Sequence, residues 1–313
     1  MCDRTVVLDS HGDTSLQLRN GTQLDPTIYI TCSRALARAS PILRAQLRGQ
    51  AVSDDPKLQH ALQIKGHDDE SLAIFLNIVH AHFLAVPRTV DVGQMYNLTI
   101  LTSNYRCSSI LGPWIDAWIS GIREKVRESD MAMMLWVFWE LGLEDDFHKM
   151  ARRMVVNLDA RKLMNDGRLW GSRKTARVMD QLCKIRLQSL QALFDATKDM
   201  LENMLVSVEV PKWSRFATRS DPRRCRRATC AMMESSLDSA SLWPLPETTE
   251  VQESVTEVYS KLAAVTIHNH MGCEFGHFWC RRMQDALNSQ LDQIKTLWDS
   301  HEDSLADVTE LEN

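Results

Sequence analysis

Glycine is scarce in this chain, 12 residues in 313, against an ordinary share of about 7%. Loops that cradle phosphate need several glycines in a short stretch, and neither a P-loop nor a glycine-rich dinucleotide turn is present. A Gly-x-Ser-x-Gly elbow and a His-Glu-x-x-His pair are missing too, so an enzymatic reading has no named residues to carry it. Long apolar runs are absent as well: the most apolar stretch, Met131 to Trp139, falls far short of the roughly 20 residues that span a bilayer. The N-terminus, Met1-Cys2-Asp3-Arg4, carries charge where a secretory signal needs an apolar core. The expectation is therefore a chain inside the cell, cytoplasmic or nuclear, with no membrane partner. A formal net charge of -5 offers no general attraction to nucleic acid.

What is there suffices for a sizeable core divided between two units: 44% of the 313 residues are hydrophobic. In a reducing compartment the eight cysteines are read as thiols or metal ligands rather than disulfides. Thr5 to Leu8 and Thr14 to Leu18 alternate as short strands around His11-Gly12-Asp13 and are read as a hairpin, with a further turn at Gly21. Thr27 to Thr31, β-branched and aromatic, makes a third strand that delivers the chain to a helical corner. There Leu36, Ile42, Leu43 and Leu47 recur at helical spacing, and Ser40-Pro41 supplies an N-cap and a first-turn proline. Ala51 to Lys57 is loop-like, and Leu62-Gln63-Ile64 alternates as an edge strand.

Asp68-Asp69-Glu70 suits the start of a helix reaching about His82, with Leu72, Phe75, Leu76 and Val79 on one face. His80 and His82, two apart, diverge and share no ligand. Helices over about Asp91 to Tyr105 and Ile110 to Val126 follow, with Trp114 and Trp118 read as core. Leu36, Leu43, Leu72, Phe75, Leu76, Leu98 and Leu101 are expected to share one core with the sheet. The fold class is α+β, a small sheet capped by helices and followed by an all-helical C-terminal region.

The order of these elements carries a resemblance. The first hairpin, the strand running into Ser33 to Leu43, the strand at Leu62 to Lys65, the helix ending Ile78-Val79-His80 and the stretch Tyr96 to Cys107 together resemble a BTB/POZ domain. Pro113-Trp114, Trp118, Leu135 to Gly142 and Phe147 are most similar to the BTB proteins of filamentous fungi. The likeness covers the first half of the chain and, more weakly, the second. It implies a BTB/POZ-like domain over 1–128, and the residues beyond it are read as a helical extension over 129–158, a helical C-terminal region with a Cys/His cluster over 174–300, and an acidic tail over 301–313. It also implies a protein-protein interaction adaptor, with a homodimer or a cullin-type ubiquitin ligase as partner. The chain starts at the first hairpin, so no strand-exchanged dimer is expected, and Cys32 stands where many animal relatives carry histidine.

In the second half, Asp159 to Arg173 is polar and reads as a joint, and Thr175 to Leu205 as a long helix. Its Leu187, Leu190, Phe194, Thr197, Leu201 and Met204 alternate by three and four. Leu287, Leu291, Ile294 and Trp298 repeat the pattern on a helix from about Phe275. The two short seams are expected to pack within the chain; a coiled coil to a partner is the alternative.

Between them, Cys225-x4-Cys230 is followed by His268, His270, Cys273, His277 and Cys280. Thiolate and imidazole are the ligands of tetrahedral zinc. The expected set is Cys225, Cys230, His270 and Cys273, with His277 as substitute fourth ligand, and the alternative is buried thiols beside a satisfied histidine. A closed four-ligand site leaves no position for water, so such a zinc would be structural. Arg219, Arg223, Arg224, Arg226 and Arg227 crowd around Cys225 and are read as a solvated loop, or as a phosphate contact or nuclear import signal. Two readings thus stand: an adaptor, and a nuclear, zinc-stabilised nucleic-acid-binding factor using residues 219–227.

Overall fold

The computed structural model describes residues 4–19, 27–49, 58–166, 173–206, 222–268 and 278–300. Packing divides the α+β chain into two compact units, Met1–Phe147 and His148–Asn313. Outside the described residues lie the turn at Gly21, the loop 51–57, Arg219, His270, Cys273, His277, the side chain of Trp298 and the tail after Ser300.

In the first unit, β1 (Arg4–Val7), β2 (Thr14–Arg19), β3 (Thr27–Thr31) and β4 (His60–Lys65) form one sheet in the order β1-β3-β2-β4. The expected hairpin of the first two strands does not form: β3 lies between them, parallel to β1 and antiparallel to β2. Alternation in a short strand tells which face is buried but not which strand is its neighbour. Here the Thr27, Tyr29 and Thr31 face of β3 is buried while β1 is largely exposed, so β3 takes the inner place and β1 the edge. Residues 8–13 step over the end of β3, where the amides of Leu8 and Asp9 both donate to the Ile30 carbonyl, at 2.9 and 3.3 Å. Gly12 lets the step close, because a Cβ there would stand 2.9 Å from Ile30 Cγ2 and from the Thr31 carbonyl oxygen. As expected, β4 is an edge strand, parallel to β2.

The helical corner follows the sequence reading. Between α1 (Ser33–Ala39) and α2 (Pro41–Arg48), Ser40 Oγ accepts from the Leu43 amide at 3.1 Å and donates to the Tyr105 carbonyl at 2.6 Å. Asp13 closes the front of α1 by accepting from the Ser33 amide at 2.7 Å and its hydroxyl at 2.6 Å. Next come α3 (Asp69–Val79), capped by Asp68, and α4 (Val92–Asn104), opened by an Asp91/Gln94 capping box. Then α5 (Gly112–Ile122) leads to α6 (Met131–Glu140), which packs on α4. All seven expected core residues are fully buried, each worth about 1.5 to 3 kcal/mol.

The second unit is helical where described. α7 (Glu144–Asn157) carries the chain into it, followed by α8 (Ala160–Asp166), α9 (Arg173–Val206), α10 (Pro222–Ser239), α11 (Val255–Ala263) and α12 (Phe278–Ser300). The expected polar joint thus contains a helix. Asp159 Oδ1 accepts from the Lys162 amide at 2.7 Å, Leu163 is buried, and α8 packs on α9. The expected pairing of the two seams is present, α9 packing on α12 within the chain. Its buried face is wider than a heptad seam. Leu182, Arg186, Leu193 and Met200 are buried alongside Leu190, Phe194, Thr197, Leu201 and Met204, while Leu187 is only half-buried. The reason is that α9 is covered by α8, α10 and α11 as well as α12.

Three of the described helix ends turn left-handed without the usual glycine. At α3, the Ala81 amide donates to the Ile78 carbonyl at 3.1 Å and the His82 amide to the Asn77 carbonyl at 2.8 Å, with Ala81 left-handed at φ 61°. The same closure recurs after α4 at Arg106 (φ 51°) and after α10 at Ser241 (φ 59°), and α6 makes it with a glycine, Gly142 (φ 67°). A left-handed L-residue costs roughly 1 to 2 kcal/mol, partly offset by the greater chain entropy glycine loses on folding. Ala81→Gly is therefore expected to stabilise the first unit by up to about 1 kcal/mol, read as a higher midpoint in urea; a lower midpoint would refute the assignment.

Candidate functional site

The left-handed end of α3 throws the chain into a short 3-10 turn, Phe83–Ala85, whose Phe83 is exposed and whose Leu84 is completely so. The Phe83 ring lies tilted on Trp114 with centroids 5.8 Å apart, and Trp114 stacks on Trp118 at 6.1 Å and 23°. The Trp118 indole N–H donates to the Pro87 carbonyl at 2.9 Å, tying the segment after the turn to α5. Trp114 is therefore not core, as its spacing from Trp118 suggested. It is half-buried, the middle rung between buried Trp118 and the exposed pair. A rigidly backed apolar projection of this kind is suited to association. Sequence reasoning missed Phe83 and Leu84, whose one signal is an apolar pair placed after a helix end, between His82 and Pro87.

Nearby, His80, its ring centroid 6.5 Å from that of His82, has a structural task. Its Nε2 accepts from the Cys32 amide at 3.0 Å, which leaves Nδ1 to donate to the Leu76 carbonyl at 2.9 Å. That is the neutral ring. Burial pushes its pKa below the ordinary 6.5, aided by His82 and opposed by the Leu76 carbonyl and Asp9. Protonation thus favours the unfolded chain: the contribution is complete above pH 6.5 and is lost as pH falls through the lower folded value. His80→Gln is expected to flatten this acid-side loss and to cost about 1 to 3 kcal/mol at pH 7, through poorer satisfaction of the Cys32 amide. Melting curves at pH 7 and pH 5 check it, and an equal drop in both proteins would refute it.

The cysteines of the second unit sit in a helix. Residues 222–227, expected as a basic loop, form the first turns of α10. Its buried residues Cys225, Arg226, Thr229, Cys230 and Met233 fall on one broad stripe. At 100° per residue, Cys225 and Cys230 leave the helix roughly 140° apart, at the two edges of that stripe. The spacing of five that suggested a ligand pair is thus also the spacing of a wide buried face. Burial raises the Cys230 thiol to about 11. Cys280, on α12, is buried with its Sγ 3.5 Å from Thr229 Oγ1. Arg223, Arg224 and Arg227 are exposed, but Arg226 is buried, its guanidinium 5.3 Å from the Trp279 ring centroid. A buried stripe at helical spacing, rather than solvation, has claimed that arginine. Among the described residues no group of three or more His, Cys, Asp or Glu could hold a metal; His270 and Cys273 lie outside them. Comparison with protein-family models and with curated proteins finds no match to this chain. No helix among the described residues is long and apolar enough to cross a membrane.

Proposed function

We propose that this chain is an intracellular protein-interaction adaptor, a BTB/POZ-like head followed by a helical region, and that the head recruits a cullin-type ubiquitin ligase. The reading rests on the exposed Phe83, its ring backed by Trp114 and Trp118, and on the fully exposed Leu84 beside it. An aromatic side chain held on a stacked base, with an exposed aliphatic one next to it, can enter an apolar groove of a partner, and the ring is already in place, which lowers its ordering cost. The partner's identity is what the resemblance to BTB/POZ proteins implies.

The test is affinity purification of the full chain from cells, compared with a Phe83→Ala/Leu84→Asp variant. Loss of such anchors costs about 2 kcal/mol or more in an interface, roughly a thirtyfold loss of recovered cullin. Leu84 is fully exposed and Phe83 gives up only its contact with the Trp114 ring, so the variant's stability, read from its unfolding midpoint, should fall by no more than about 1 kcal/mol. Equal recovery of cullin with both proteins, or its absence from both, overturns the proposal. A salt series separates the competing nucleic-acid reading, since binding through Arg223, Arg224 and Arg227 would fall steeply as salt rises and an apolar contact would not.

A further inference from the structure

The link between α5 and α6 is pinned by Val126, which is buried, as is Ile122 at the end of α5. The residues on either side of Val126, Lys125 and Arg127, are left exposed. Both line a cleft of the first unit whose opposite wall is the start of α4. It encloses about 670 Å3, within the range of about 300 to 1,000 Å3 typical of small-ligand sites. Val90, Val92, Ile122 and Met133 make the lining mainly apolar, and Gly93 and Gly121 keep two stretches of it free of side chains.

Two acids line the cleft as well as the two bases, and the four differ in what engages them. Asp91 Oδ1 accepts from the Gln94 amide at 2.8 Å as the cap of α4, and Asp130 Oδ1 accepts from the Ser129 hydroxyl at 2.8 Å. Among the described residues, the side chains of Lys125 and Arg127 enter no hydrogen bond or ion pair. The cleft thus offers a ligand an apolar wall beside two cationic donor groups. A carboxylate suits them, because a guanidinium matches its two oxygens at once and an ammonium adds a compact charge. A phosphate group, with about -1.5 to -2 charges at pH 7, would be repelled more strongly by Asp91 and Asp130, and a ligand without an apolar body would leave the valine, isoleucine and methionine wall wet. We propose that this cleft binds a small monocarboxylate with an apolar body, a function separate from the apolar projection at Phe83. Aliphatic and aromatic bodies share that chemistry.

Decanoate is titrated calorimetrically into the full chain, and naphthoate in a second arm. Saturable one-to-one binding is expected in the first arm for an aliphatic body and in the second for an aromatic one, and the amine of the same body should bind roughly tenfold more weakly or worse. Lys125→Gln/Arg127→Gln, at two exposed positions, is expected to weaken binding of the carboxylate by roughly tenfold or more with an unchanged melting temperature. Gly121→Leu should block the cleft without lowering the melting temperature, since a Cβ there meets nothing within 4 Å and leucine favours a helix more than glycine does. Arg34→Gln/Arg38→Gln, exposed on α1, removes the same charge elsewhere and should leave binding unaltered. No saturable binding in either arm, equal binding of the amine, or equal losses in the cleft and control variants overturns the proposal.

Discussion

Leu190→Asp is expected to unfold the second unit at every protein concentration while leaving the first unit's transition in place. Leu190 is fully buried at the centre of α9, in one cluster with Phe194, Val255, Val258, Leu287 and Leu291. Removing a buried leucine costs about 2 to 5 kcal/mol, and a carboxylate with no partner in that apolar setting adds several kcal/mol more. The sum is comparable with the roughly 5 to 15 kcal/mol that holds an ordinary domain together. Helical circular dichroism and urea unfolding over a wide concentration range would read it. A monomer that tolerates the change and loses only an association would instead mean that α9 serves a partner.

Arg186→Ala carries the second large effect, through polar rather than apolar loss. Arg186 is buried in α9, and its Nη2 donates to the carbonyls of Val251 at 3.0 Å and Glu253 at 2.6 Å. Those residues precede Ser254, whose hydroxyl accepts from the Glu257 amide at 3.1 Å and opens α11. Burial works against the charge and lowers the arginine's pKa, while Cys183 and Asp159 pull the other way. Hydrogen bonds from a charged donor are worth about 1.5 to 3 kcal/mol each, and truncation leaves two carbonyls without their donor plus a cavity. A loss of about 3 to 5 kcal/mol is expected, with faster hydrogen exchange across α11. Arg186→Met should recover only the packing part of the loss. An unchanged denaturation midpoint in Arg186→Ala would mean that the 251–253 segment is held by something else.

Much of the first unit was legible locally. Caps are short-range chemistry, so Ser40-Pro41 and Asp68 marked helix starts that the structure contains, and the apolar spacing from Leu72 to Leu76 identified a face that is buried. The position of β3 between β1 and β2 was not legible, because pairing is chosen by competition among whole strands. The ends marked by Ala81, Arg106 and Ser241 carry no glycine signal, since surrounding contacts rather than the residue itself impose the left-handed turn. The Phe83 and Leu84 projection depends on one of those turns and was missed with it.

In the second unit, period and composition marked α9 and α12 and suggested that they pair. They could not give the width of the buried face, which depends on how many helices cover it, nor the burial of Arg186 and Arg226. Cys225 and Cys230 show the same limit: a five-residue gap fits a ligand pair or two edges of a helix stripe equally well, and both residues are buried on α10. Helix starts, apolar faces and the absence of glycine-built phosphate loops were written in the sequence because each is settled by residues within a turn or two of one another. Strand order and the stacked projection at Phe83 were decided only by tertiary structure, because each joins residues whose proximity arises from packing rather than from spacing.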